Sequence, residues 1–412
     1  METENQPPAG ARWKLIGPGL VAAATGVGAG DLVATLIAGT RFGYALLWAA
    51  VIGCIVKIAL AEGVGRYHLA TGRTIFQGWQ SLGRWTSWYF GAYILVWGFL
   101  YGATAMSATA LPLTALMPFL PLWGWAIFAG ITGFVFVWFN HYQAFENVMK
   151  ALVAVMFVVM VGLAALVVPR LGAILSGLAP GVPQGSLFYT LGLIGGVGGT
   201  ITIAAYGYWT QAKGWRGPAW LGVMRLDNGV AYAVTGIFVI AMLIVGAELL
   251  YGAQVALASG GKGLVDLADI LAQRFGRPIA MAFLIGFAAS AFSSLLGVWQ
   301  GVSLMFADFV AHVGGPDPED TQTGWPYRAY LLWLTFPPMA LLFLGKPFFL
   351  VILYGAFGAF FMPFLAVTLL LLLNRRDMPV EARSGWLSNA VLACAALLFV
   401  LLCGQEIWGL IG

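Results

Sequence analysis

The sequence predicts an all-α polytopic membrane protein made of two five-span halves and an eleventh span. Three observations predict it. The 412 residues are 61% hydrophobic and only 9% charged, with a mean hydropathy of +0.89, more apolar surface than one soluble core hides. Apolar runs of about 20 residues recur from end to end, each long enough to cross about 30 Å of hydrocarbon as a helix. Two of these runs, five spans apart, are interrupted by glycine clusters.

Breaking the apolar windows at charged or Pro-rich clusters gives spans at 15–38, 44–63, 88–114, 121–139, 148–168, 187–209, 230–251, 279–307, 329–345, 348–373 and 387–409. The first is interrupted at Gly26-Val27-Gly28-Ala29-Gly30-Asp31, and the sixth at Gly195-Gly196-Val197-Gly198-Gly199-Thr200. Unwound backbone at mid-membrane survives only where it is buried in protein or lines a cavity, so matched breaks in two halves are the signature of an inverted-repeat transporter. Each cluster alone would equally suit close helix packing through small residues. The organisation expected is a cytoplasmic tail over 1–14, a transporter core over 15–373, and a cytoplasmic loop with the eleventh span over 374–412.

Orientation follows from the basic residues. With the N-terminus inside, 13 Lys and Arg fall in cytoplasmic segments and 6 outside, so the positive-inside rule places the N-terminus in the cytoplasm of a cell (inner) membrane. Residues 1–14 are polar and lead into a Gly-rich break, so no cleaved signal peptide is expected. The net charge of +4 is mild and set by loops, which excludes nucleic acid as a partner. Cys54, Cys394 and Cys403 lie in apolar stretches and read as small hydrophobes. Tryptophans such as Trp85, Trp88, Trp123, Trp125 and Trp408 fall near span ends, as interfacial residues do. The spans hold no Ser/His/Asp set, paired acids or metal-spaced His cluster, so the chain is expected not to be an enzyme and to need no cofactor.

Residues Gly17 to Trp48 resemble the first helix and early second helix of the NRAMP (natural resistance-associated macrophage protein) divalent-metal transporters, without gaps, through Gly17-Pro18-Gly19-Leu20 and Ala38-Gly39-Thr40-Arg41-Phe42-Gly43-Tyr44. Thr190 to Gly195 is similar to the start of that family's sixth helix, Arg225-Leu226-Asp227 to the entry of its seventh, and Ala288 to Ser294 to its eighth. The resemblance implies the leucine-transporter (LeuT/APC) fold with a 5+5 inverted repeat. Its functional residues carry over poorly. The family's Asp-Pro-Gly-Asn metal motif falls on Gly28-Ala29-Gly30-Asp31, its Met-Pro-His on Gly199-Thr200-Ile201, and its third-helix acidic residues on Ala105 and Ala108.

The candidate site is therefore read from what remains. Asp31 is the one ligand-type side chain left in the motif. It suits a hard cation such as Mg²⁺ that keeps several waters, with carbonyls from Gly26, Val27 or Gly196 completing the shell. It suits equally an N-cap that satisfies free amides at a half-helix start. The Gly-rich breaks also expose backbone amides at two half-helix N-termini, which attract a small anion, a carboxylate or a zwitterion. Substrate contacts are expected from Thr25, Gly28, Gly30, Asp31, Gly196, Gly199 and Thr200, with hydroxyls of Thr202, Tyr206, Tyr208, Ser293 and Ser294 and the Gln300 amide nearby. Lys57 is the one basic residue well inside a span. Nine residues before Arg66, about 13 Å along a helix, it either snorkels to the interface or faces the core as a coupling or gating charge. Glu62, Glu248, Asp308 and Glu406 read as interfacial.

These readings converge on a secondary transporter of a small inorganic ion, first a hard, partly hydrated divalent metal cation with weak or no proton coupling. A transporter of bicarbonate, a carboxylate or an amino acid is the alternative, and a membrane sensor or scaffold that transports nothing is the second. The partners expected are the small ion or solute and the lipid bilayer.

Overall fold

The computed structural model describes residues 7–8, 12–139, 141–167, 170–196, 198–251, 261–314, 324–344 and 347–411. Among them the chain is helical throughout. After a 3₁₀ turn at Arg12–Leu15, α1 (Pro18–Gly26) and α2 (Ala29–Phe42) form the interrupted first span, and α3 (Leu47–Thr71) the second. The short α4 (Ile75–Leu82) leads into α5 (Arg84–Leu116), α6 (Leu122–Phe139) and α7 (Tyr142–Leu166), spans three to five. A second short helix, α8 (Leu171–Gly177), joins the halves.

The second half repeats the order. The broken sixth span is α9 (Leu187–Gly196) and α10 (Thr202–Ala212), and α11 (Leu221–Gly246), ending in a π turn over Ala247–Tyr251, is the seventh. α12 (Gly261–Phe275) precedes α13 (Arg277–His312), the eighth, and α14 (Trp325–Thr335) with α15 (Met339–Leu342) makes the ninth. α16 (Pro347–Leu373) and α17 (Trp386–Ile411) close the chain. All eleven expected spans fall on these helices, and six of the described helices are each long and apolar enough to cross a membrane.

Two packed groups result. The broken helices α1, α2, α9 and α10 sit with α3 and α11, while α5 and α13, backed by α6, α7 and α14, face them from the other side. Without a hydrophobic drive between helices in lipid, close approach depends on small residues. α2 and α11 meet this way reciprocally: a Cβ on Gly246 would lie 2.6 Å from the Leu36 carbonyl oxygen, and one on Gly39 would strike that of Leu243. The eleventh span is bound into the body: Arg66 of α3 donates to Ser384 and Ser388 at 3.1 and 2.9 Å, at the entry to α17.

Each side of the bundle carries a polar clasp. On the side where α1 begins, the near side, the fully buried Asp227 of α11 accepts from the backbone N–H of Gly17 at 2.9 Å and of Gly19 at 2.6 Å. It thus caps α1 from a distant helix, satisfying amides that no turn of α1 itself reaches. Against Gly17 lies Glu146 of α7, which accepts from Lys150 and Lys213 and is fully buried. On the far side, Tyr44 in the link between α2 and α3 donates to Glu248 at 2.6 Å, and Arg170 donates to the same oxygen at 3.0 Å. Burial, reinforced by that carboxylate, pushes the Tyr44 phenol up to about 12.

Candidate functional site

The two breaks meet. α1 stops at Gly26, whose successor Val27 still donates to the Ala23 carbonyl at 2.9 Å, and α2 resumes at Ala29. α9 stops at Gly196, and the chain passes through Gly198 (φ +80°) and Gly199 (φ +90°) before α10. Both glycines occupy the left-handed region that other residues rarely adopt, which is why a helix former cannot replace them without strain. A Cβ on Gly26 would lie 2.6 Å from the Gly198 carbonyl carbon and oxygen, so the two interrupted backbones touch with no side chain between them.

A helix broken in an apolar setting leaves its last carbonyls without partners. At the first break, α13 supplies hydroxyls. Ser293 donates to the Ala24 carbonyl at 2.9 Å, Ser294 to Thr25 at 2.8 Å, and Ser290 to Val27 at 2.7 Å. Tyr101 of α5 hydrogen-bonds the Ser294 hydroxyl at 2.8 Å, and Gly28 lies beside that serine.

At the second break the partner is Lys57. Its side chain is fully buried, and its Nζ donates to the carbonyls of Gly195 at 2.9 Å and Gly199 at 2.6 Å. The Met362 sulfur of α16 lies 3.7 Å away, and the Phe399 ring of α17 is centred 5.4 Å from the nitrogen. Of the two readings of Lys57, snorkelling is thereby corrected and the core-facing one holds. The face of α3 that carries it turns toward α9, and the ammonium fills a gap in the backbone hydrogen bonding of the break.

The other expected contacts divide. Gly199 and Thr200 are at the junction, and the Thr200 hydroxyl is buried without a hydrogen-bond partner among the described residues. Thr25 is there too, but its hydroxyl returns to the Val21 carbonyl at 2.6 Å. Gly28 is half-buried at the first break. The side chain of Asp31, and the surroundings of Gly30 and Gly196, lie outside the described residues; the backbone places Asp31 in the first turn of α2. Val27, expected to offer its carbonyl to a cation, has it engaged by Ser290.

Tyr206 and Tyr208 turn away from the junction, donating at 2.8 Å to Asp227 and at 2.5 Å to Asp308. Gln300 accepts from Trp209 at 2.6 Å. Asp308, read as interfacial, is buried and also holds Thr74 and His312. Tyr101, Ser290, Met362 and Phe399 are junction residues the sequence reading passed over. Ser290 had a signal, since it precedes Ser293 and Ser294 by one helical turn. Met362 and Phe399 had none, because they arrive from spans with no polar marker.

Comparison with known proteins decides the family. The model of natural resistance-associated macrophage protein-like chains matches residues 19–409. The chain belongs to this family. It is thus a multi-pass membrane transporter of the NRAMP kind, and 25% of its residues are identical, over 96% of the chain and 90% of the relative, to the divalent metal cation transporter MntH of Deinococcus radiodurans. A manganese transporter of Eremococcus coleocola superposes with a TM-score of 0.83 at 16% identity, covering 100% of this chain and 91% of that one. MhsT, solved in complex with L-phenylalanine, superposes with a TM-score of 0.58 at 16% identity over 93% of this chain and 97% of its own. These likenesses fix the leucine-transporter fold for this NRAMP-family chain. No group of three or more His, Cys, Asp or Glu residues is placed to hold a metal ion among the described residues.

Proposed function

We propose that the chain moves a divalent metal cation across the membrane, at the junction of its two broken helices. The observation that carries this reading is the direct contact of Gly26 with Gly198, which brings the unwound backbone of both halves to one place, where the Thr200 hydroxyl is unpartnered among the described residues. Family membership, with relatives named for divalent metals and manganese, supplies the substrate class.

The finer reading is a hard, partly hydrated ion with weak or no proton coupling. The thioether and imidazole of the family's sixth-helix motif are absent at Gly199-Thr200-Ile201, which removes the ligands that favour softer metals. Lys57 engages two carbonyls of the second break, and Ser290 one of the first. An ion with few protein ligands keeps its water, as Mg²⁺ does. Ala105 and Ala108, both buried, stand where the family has acidic residues, so that route offers a proton no carrier. On this reading Asp31 is the carboxylate ligand, and the near side faces the cytoplasm.

The test is uptake of Mn²⁺ and Mg²⁺ into proteoliposomes, with and without a pH gradient. Uptake of either ion that ignores the gradient and falls about tenfold or more in Asp31→Ala is the expected result, a loss of roughly 1.4 kcal/mol in ion binding. Absence of uptake for both ions would sink the reading.

One observation favours a second reading. The buried Lys57 puts a fixed positive charge at the second break, which suits a small anion or zwitterion held by backbone amides. In that case bicarbonate or amino-acid binding survives Asp31→Ala and is abolished by Gly199→Val, whose side chain would crowd the Thr202 hydroxyl and Gly26.

A further inference from the structure

Four groups around the Lys57 nitrogen share one property: each attracts a cation. Two are carbonyl oxygens, Gly195 at the C-terminal end of α9 and Gly199 in the break, where the half-helix dipole is negative. The third is a thioether sulfur, and the fourth is the face of an aromatic ring. They come from three separate elements, the α9–α10 break, α16 and α17, and Phe399 is itself only 1% exposed. Ser290, Ser293 and Ser294 satisfy the equivalent carbonyls of the first break with neutral hydroxyls. A neutral donor thus suffices to cap a broken helix in this protein, whereas the second break is built with a π face and a sulfur around its donor.

We propose that Gly195, Gly199, Met362 and Phe399 form a monovalent-cation site that the chain fills with its own ammonium, Lys57. The site is of ammonium or potassium size. A sulfur and a ring among its partners fit a weakly hydrated single charge better than a small, strongly hydrated dication. With the cation tethered, the junction of the broken helices keeps its geometry whatever monovalent ion the medium holds. α17 then has a function of its own: Phe399 sets its ring face against the site. The inference takes the place of the junction from the transport reading and nothing about its substrate.

Thermal unfolding of the purified full chain in detergent tests it, at equal ionic strength in the chlorides of potassium, n-propylammonium and N-methyl-D-glucamine. The wild type is expected to unfold at one temperature in all three. Lys57→Ala leaves a channel the length of n-propylammonium. In N-methyl-D-glucamine, too large to enter, its Tm is expected to fall by about 5 °C or more. Potassium or n-propylammonium should recover at least half of that loss in a saturable way, as binding to the folded state requires. Lys57→Met removes the charge and fills the space, so its Tm should be lower in every salt and indifferent to the cation.

A loss in Lys57→Ala that no cation repairs would mean that the lysine is a helix cap only, and would overturn the proposal. So would a wild-type Tm that varies with the cation, an Ala variant as stable as the wild type, or failure of that variant to fold in potassium. Because unfolding needs no transported ion, a failure of Mn²⁺ or Mg²⁺ uptake leaves this result intact, and loss of cation rescue leaves the uptake result intact.

Discussion

Three serines and one lysine meet the same need by different chemistry. A carbonyl left unpaired in an apolar interior costs about 1–3 kcal/mol, and either donor removes that cost. A hydroxyl does so without bringing charge, and its bond can also be shared, as Ser294 shares with Tyr101. The serines are therefore expected to contribute unequally. Ser290→Ala and Ser293→Ala should each lower stability by about 1 kcal/mol, or about 2 °C in Tm for a chain of this size. Ser294→Ala should cost more, because it also removes the hydrogen bond to Tyr101. Thermal unfolding of the three single variants ranks them, and equal losses would show that the Tyr101 contact adds nothing. At this scale the sequence was partly readable: a Ser-rich turn in an apolar span has few roles besides bonding to a neighbouring helix, but its partner carbonyls belong to a helix more than 260 residues away.

The broken helices are the elements that set the site, and their contact is backbone on backbone. Gly26→Ala would set a methyl 2.6 Å from Gly198 backbone atoms, forcing a shift worth about 1–3 kcal/mol. Gly199→Ala adds the strain of a left-handed φ at +90° and sets a methyl 3.2 Å from the Gly26 Cα. Since both push on one contact, the double variant is expected to lose less than the two singles together, a coupling that Tm measurements on all three report. Strict additivity would mean that the breaks do not bear on each other. Both breaks could be placed from the glycine clusters, and the eleven spans from apolar length, because hydrocarbon thickness leaves little choice. The short α4 and α8 escaped, being too brief to register against apolar spans. The facing of Lys57 escaped for another reason. A helix that is apolar all round carries no stripe to say which side is inward, so the sequence left snorkelling and a core-facing charge both open. Asp227 and Glu146 escaped likewise, since full burial of a carboxylate depends on donors from α1 and α10 that no local pattern announces.

Across the whole molecule, the junction is held between two clasps of unequal strength. The near-side clasp has two fully buried carboxylates, with Asp227 on two α1 amides and a tyrosine and Glu146 between two lysines. Charge-assisted bonds in so dry a place are strong when complete and costly when one partner is lost. The far-side clasp of Tyr44, Glu248 and Arg170 is wetter: the Arg170 side chain is 65% exposed, so its ion pair is screened and contributes little. A transporter that alternates its access must undo one clasp while the other holds, and its resting population follows the difference between them. Asp227→Asn keeps the shape but loses the charge that shortens the Gly17 and Gly19 bonds, so it is expected to free the start of α1 and favour opening on the near side. Glu248→Gln should favour opening on the far side, by less. A cysteine introduced at Ala22 on α1, in a chain whose Cys54, Cys394 and Cys403 are replaced by alanine, reports this through its rate of reaction with a bulky polar maleimide applied to the near side. A rise of about tenfold with Asp227→Asn corresponds to a shift of roughly 1.4 kcal/mol between the two states, and Glu248→Gln should leave the rate at or below the starting value. If both variants raise the rate alike, the clasps loosen the fold as a whole instead of trading places, and Asp227 is then a structural cap for α1 with no part in the cycle.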